Sequence, residues 1–319
     1  MGRGGKPHAC AEGNPDLVPG LTDSVLPFSV MGGAVRGRLA RLGTALDTVL
    51  DDQHGYPEPV AALLADTMAL AAVLATSMKF DGIFTLQAQG DGPVSLLVAD
   101  VTSGGDLRAH ARFDAARLGQ VPPGGRASVP AMLGKGYLAF TVDQGPDTDR
   151  YQGIVELAGA TLEDCARAYF KQSEQLDTAI EAMVRPPSGG QGWAATALMI
   201  QRMPAGTGSA PILVADEAEE TWRRAEILLA SVKGEEMVDP ALSSEQLLYR
   251  LYHAEQLQVF EAKEMRARCR CSRDRVEATL RSLPPGEVAQ VADEQGQIVV
   301  TCEFCRTDHV FRLTELQSS

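Results

Sequence analysis

Four of the chain's six cysteines fall in two tight pairs, Cys269-Arg270-Cys271 and Cys302-Glu303-Phe304-Cys305, within the roughly sixty residues that follow Glu261. A segment that short cannot assemble a generous apolar core and in small units usually depends on a metal or on disulfides. Two pairs of soft ligands suit tetrahedral zinc, which takes thiolate sulfur at about 2.3 Å, and a Cys-x-x-Cys knuckle lets two sulfurs and nearby backbone N–H groups converge on one ion. The Cys-x-Cys spacing of the first pair is rarer among structural zinc sites, but it leaves the ligand count intact. Four unpaired buried thiols, the plain alternative, would not explain the clustering. The expected ligands are therefore Cys269, Cys271, Cys302 and Cys305, holding one Zn2+ per chain across the thirty-residue insert Ser272 to Thr301.

Zinc on four thiolates carries a formal charge of about -2, and Arg266, Arg268, Arg270, Arg273 and Arg275 lie beside it in sequence. Such a cluster favours thiolates and keeps them reactive toward oxidants once they are accessible. The simpler reading of each arginine singly is a solvated or interdomain face. Cys165, on the apolar face of a helix, and Cys10, in a loose tail, are expected bystanders. His8, His54, His110, His253 and His309 show no His-x-x-x-His pair, and they read as surface or satisfied polar groups. His309 follows Cys305 by four residues, but the cysteines already complete a shell. Gly134-Lys135-Gly136 looks like part of a phosphate loop, yet no Ser or Thr follows the lysine and the upstream glycine is missing.

At 319 residues the chain has room for two or three folding units. Val60 to Phe80 is nearly long enough to span a membrane, but Asp66, Thr67, Thr76 and Ser77 and its many alanines predict a buried helix instead. Short alternating runs, Ile83 to Gln89, Val94 to Ala99, Leu107 to Phe113, Tyr137 to Val142 and Tyr151 to Leu157, predict strands, the last two joined by a Gly145-Pro146-Asp147 turn. Thr161 and Asp164 predict a capping box on a helix running to Gln175. Ala194 to Met203 reads as a strand or a short helix. Beyond the Gly-rich boundary Ala205 to Gly208, Glu217 to Lys233 and a helix capped by Ser243 or Ser244 are amphipathic. The expected class is α+β: a flexible tail over 1–20, a mixed α/β domain over 21–210, a helical linker over 211–260, and a small zinc domain over 261–319. A formal charge of -13 disfavours nucleic acid and anionic lipid as partners. The absence of a secretory pattern together with clustered thiols points to the reducing cytoplasm.

Several separate stretches together resemble the redox-regulated 33 kDa heat-shock chaperones of bacteria, the 33 kDa chaperonins. They are Cys269-Arg270-Cys271-Ser272-Arg273-Asp274-Arg275, Cys302-Glu303-Phe304-Cys305 and Leu247 to His253. Farther upstream, Leu86 to Pro93, Arg150-Tyr151-Gln152-Gly153 and Tyr169 to Gln175 belong to the same set. The N-terminal tail and His309, where that family usually has an aromatic residue, depart from the pattern. The resemblance implies a holdase rather than an enzyme, inactive while reduced and zinc-bound. It further implies activation when oxidation expels zinc and closes the disulfides Cys269–Cys271 and Cys302–Cys305, with unfolding proteins as clients and a homodimer allowed in the oxidised form. Without it, a zinc-stabilised enzyme and a constitutive zinc-ribbon adaptor or RNA-binding module stay open. The first would need a pocket of convergent polar groups and the second a basic face with aromatics.

Overall fold

The computed structural model describes residues 21–51, 53–119, 128–145, 148–204, 206, 211 and 213–317. The expected tail with Cys10 and His8, Pro146-Asp147 of the expected turn, and all of the 205–208 boundary except Gly206 lie outside the described residues. In chain order the strands are β1 (Ser24–Val30), β2 (Val35–Leu42), β3 (Ile83–Gly90), β4 (Val94–Thr102), β5 (Asp106–Phe113), β6 (Gly136–Asp143), β7 (Tyr151–Glu156), β8 (Thr178–Arg185), β9 (Ala194–Arg202), β10 (Gln258–Val259), β11 (Lys263–Glu264), β12 (Arg266–Ala267), β13 (Gln297–Thr301) and β14 (Asp308–Arg312). The helices are α1 (Thr44–Val49), α2 (Glu58–Ser77), α3 (Ala115–Leu118), α4 (Val129–Met132), α5 (Leu162–Tyr169), α6 (Ala215–Ala230), α7 (Gly234–Met237), α8 (Ser244–Tyr252), α9 (Arg273–Ser282), α10 (Pro285–Gln290) and α11 (Leu313–Gln317). This is the α+β class expected.

Helix α2 organises the larger body. Its side chains are buried almost all round, because it lies between two sheets and packs on β2, β8 and β9 of one and on β3, β4 and β5 of the other. The alanines let both sheets approach closely. Thr67, Thr76 and Ser77 return their hydroxyls to the helix's own carbonyls of Leu63, Ala72 and Leu74, so they cost little in an apolar setting. The length and apolarity that suggest a membrane span thus belong to a core helix.

The first sheet has the order β10-β1-β2-β9-β8, and the second β12-β5-β4-β3-β6-β7. One face of the first sheet, with Ala40, Leu42, Ala195, Ala197 and Met199, meets α2. Its other face, with Leu26, Phe28, Val30, Val35, Leu39, Leu198 and Ile200, is covered by α6 and α8 through Trp222, Ala225, Leu229, Leu247, Leu248, Leu251 and Tyr252. A sheet covered on both faces carries near-continuous apolar runs. Gly37 is needed in this layer, because a Cβ there would sit 2.0 Å from the ring of Phe28, which lies across it toward Tyr252.

After α8 the chain runs along the edges of both sheets. β10 pairs with Phe28 and Ser29, β11 with Ser24 and Val25, and β12 joins β5 in parallel. The break between β10 and β11 has a local cause. Phe260 donates its N–H to Pro27 O at 2.9 Å, but proline has no N–H to return.

Two motifs quoted for the resemblance meet in space. Tyr151 Oη lies 2.6 Å from Tyr169 Oη, both hydroxyls donate to Glu174, and the ring of Tyr169 fills the space a Cβ on Gly153 would take. The capping box at Thr161 and Asp164 opens α5. The helix then widens into a π turn over Phe170–Glu174, closed by Gln175 in the left-handed region at φ 52°.

Candidate metal centre

The first cysteine pair arrives already anchored. Arg268 donates its N–H to Leu107 O at 2.9 Å, which continues the β12–β5 ladder to the residue before Cys269. After Cys271, Ser272 caps α9 by accepting from the Arg275 N–H at 3.3 Å. The second pair occupies the turn of the β13–β14 hairpin, where Cys302 donates to Thr307 O at 3.0 Å and Arg306 donates to Cys302 O at 2.9 Å. Arg306 takes the left-handed φ of 54° that folds the knuckle back.

The four Sγ atoms lie within 4.8 Å of one another, with Cys269 to Cys302 at 3.7 Å and Cys271 to Cys305 at 3.4 Å. A tetrahedron with sulfurs about 2.3 Å from its centre has edges of about 3.8 Å, so the donor set fits zinc in both chemistry and spacing. Among the described residues, no other group of three or more His, Cys, Asp or Glu is placed to share an ion. His309 pairs with Val300 in the hairpin, outside the cluster. Cys165 sits in the main core, where burial raises its thiol above the ordinary range.

Burial also raises Cys271 and Cys302, as expected of thiols crowded together before a cation compensates their charge. Burial pushes Cys305 the same way, but hydrogen bonding with Thr307, whose Oγ1 lies 3.3 Å from the sulfur, and with Cys271 and Cys269 together outweighs it and brings this thiol down to about 7.

The flanking arginines serve mostly as structural contacts. Arg273 donates to Val310 O, pairs with Glu315 at 3.1 Å and stacks on Phe311, while Arg275 donates to Arg270 O at 2.7 Å. Arg268 reaches toward Asp106 at 3.9 Å. Arg270, between the first two ligands, pairs with the buried Asp100 of β4, which also binds Arg108 of β5 at 2.7 Å and accepts from Thr85 at 2.6 Å.

The second knuckle rests on the same sheet. The Arg108 guanidinium lies 3.9 Å over the Phe304 ring, and His54 Nε2 is 3.2 Å from Phe304 O while its Nδ1 is 2.8 Å from Asp51. Glu303 pairs with Arg112 at 3.3 Å, and His110, held neutral by burial, faces Phe304 and Tyr56. His54 and His110 are thus buried beneath the knuckle. Sequence reading gave no sign of this, because His54 and Phe304 are 250 positions apart. The phosphate-loop lookalike has committed amides: Lys135 donates to Asp91 Oδ1 at 2.8 Å, and Gly136 opens β6.

The Hsp33 protein family model matches residues 23–312. The chain is similar to the 33 kDa chaperonin of Caulobacter vibrioides, with 40% identity over 292 residues, covering 89% of this chain and 93% of that protein. It is 38% identical over 283 residues to the 33 kDa chaperonin of Azotobacter vinelandii, covering 88% and 89%. The crystal structure of the 33 kDa chaperonin (heat shock protein 33 homolog) of Thermotoga maritima superposes with a TM-score of 0.77 over 92% of this chain and 97% of that one; at 21% identity it shows the fold alone.

Proposed function

Because the chain belongs to the Hsp33 family of redox-regulated chaperones, we propose that Cys269, Cys271, Cys302 and Cys305 are both its zinc ligands and its redox switch, and that the segment 211–260 is the latch this switch controls. The protein is a non-enzymatic holdase whose clients are unfolding proteins. The observation that carries the ligand assignment is the meeting of four thiols at tetrahedral spacing. Bound zinc supplies a crosslink that small modules use as folding energy.

The cysteines perform the switch. In each pair two thiols give up two electrons and two protons to one peroxide, which leaves as two waters, and a disulfide forms; sulfurs spent in this way no longer ligate. Pairing within each pair, Cys269 with Cys271 and Cys302 with Cys305, is favoured once the module opens. Neighbours two or three positions apart need no long search, whereas crossed pairs must close the thirty-residue insert. The latch reading is supported by the apolar face of the first sheet that α6 and α8 cover. Its release would free client-binding surface on the body over 21–210, with 261–319 as the switch domain and 1–20 as a tail. A homodimer in the oxidised form and residence in the cytoplasm complete the proposal.

Substitution tests the ligand assignment. Cys302→Ala should abolish stoichiometric zinc in the reduced protein, whereas Cys165→Ala should keep one zinc per chain, both read by elemental analysis after gel filtration. Loss of zinc from Cys165→Ala with retention in Cys302→Ala would reverse the assignment.

A further inference from the structure

We infer that the residues lying inside the two cysteine pairs, Arg270 and Phe304, are positioning residues that seat the cysteine module on the second sheet, and that this seat is how the module's redox state reaches the latch. The inference rests on the proposed switch and names the contact through which it acts.

Both pairs touch the body through the residues they enclose, and both contacts converge on one site. Arg270 binds Asp100, Asp100 binds Arg108, and Arg108 lies over Phe304. Asp100 is 7% exposed at its side chain and Arg270 17%, so the ion pair is shielded from solvent and depends on its geometry. The seat stands directly beside the β12–β5 ladder, whose Arg266 and Arg268 amides donate to Gly105 O and Leu107 O at 3.0 and 2.9 Å. The same stretch of chain continues back through β11 and β10 to α8. Seat, edge strands and latch are therefore consecutive.

Once the module opens, closing a pair acts directly on the residue it encloses. Two thiols deliver two electrons and two protons to a peroxide, which leaves as two waters, and the new bond draws the flanking Cα atoms to about 4.4–6.8 Å. Two positions apart along a chain, that closure bends the backbone at the residue between, which is Arg270. In the second pair it re-forms the turn that carries Phe304. Arg270 then loses its alignment with Asp100, and Phe304 its place under Arg108. The two seating contacts thus belong to the residues that each disulfide loop encloses.

The test uses the full-length, reduced, zinc-loaded protein with Arg270→Gln and, separately, Phe304→Leu, measuring zinc content and residue-resolved hydrogen exchange. The Arg266 and Arg268 amides should exchange about tenfold faster or more, equivalent to about 1.4 kcal/mol. One zinc per chain should remain, and Val299 and Val310 in the hairpin should keep wild-type rates. Arg270→Lys should restore part of the protection. Unchanged Arg266 and Arg268 rates would overturn the seat, and so would zinc loss with a faster hairpin, which would mean the residues only stabilise the module. Should either variant fail to fold, Arg108→Gln removes the Phe304 contact and one of the two partners of Asp100 from the body side and is judged by the same rates. A wild-type arm treated with hydrogen peroxide separates this inference from the reading beneath it. If oxidised wild type carries disulfides yet keeps Arg266 and Arg268 protected, the switch itself fails; if it loses that protection while the variants keep it, only the seat fails.

Discussion

Arg41→Met should turn the reduced, zinc-loaded protein into a holdase as active as the oxidised wild type. Arg41 stands on β2 with only 3% of its surface exposed, and its guanidinium reaches across to the turn between α7 and α8. Nε donates to Met237 O at 3.2 Å, Nη2 to Asp239 O at 2.6 Å, and Nη1 to Leu242 O. Thr196 adds a bond to Met237 O at 2.7 Å. Burial lowers the guanidinium to about 10, so it stays charged at neutral pH, and the carbonyls at the end of α7 together with nearby Asp239 and Glu245 balance that charge. Methionine fills the space of the stem but donates nothing. Each acceptor left dry costs about 1–3 kcal/mol, and the loss falls on the turn that leads into α8 of the latch. The Leu247, Leu248 and Leu251 amides should exchange on the order of a hundredfold faster, equivalent to roughly 3 kcal/mol. Zinc content and protection in β3 and β6 should hold, and Arg41→Lys should fall between. A reduced Arg41→Met protein that stays inactive with its latch amides protected would remove the clasp from the account.

Removing the metal without oxidation should have a comparably large effect on the module alone. From α9 to α11 the buried apolar side chains among the described residues are Leu280, Val288, Ile298 and Phe311, a core too small to hold three short helices and a hairpin by itself. In small modules the thiolate–zinc bonds add roughly 10–16 kcal/mol. Treating the reduced protein with a strong chelator should therefore bring the β13 and β14 amides to near-unprotected exchange while β3, β4 and β6 keep their rates, and added zinc should reverse the change. Persistent protection of the hairpin in metal-free protein would show that its apolar core suffices.

What the sequence disclosed follows from how each element is buried. The strands from Ile83 to Glu156 were legible because the second sheet meets α2 on one face only, which produces alternation. The first sheet is covered on both faces, so Ala194 to Ile200 reads as an apolar run interrupted only by Thr196, compatible with strand or helix. β1 hid behind Pro27 and β2 behind three arginines, of which Arg41 proves to be buried. The cysteine cluster was legible because ligand spacing is local. The seat beneath it was not, since Asp100, Arg108, His54 and His110 come to the knuckles only through the tertiary fold.

The most direct test of the redox switch is a time course of the reduced, zinc-loaded protein in hydrogen peroxide at mildly elevated temperature. Zinc release, suppression of aggregation of an unfolding client, and non-reducing peptide maps are followed on the same samples. The three should rise together, with Cys302–Cys305 closing first. Cys269–Cys271 should follow, because a bridge across a single residue is harder to form. Client protection that appears with zinc still bound, or maps dominated by Cys269–Cys302 and Cys271–Cys305, the pairs that lie 3.7 and 3.4 Å apart in the folded module, would contradict a switch that works by opening it.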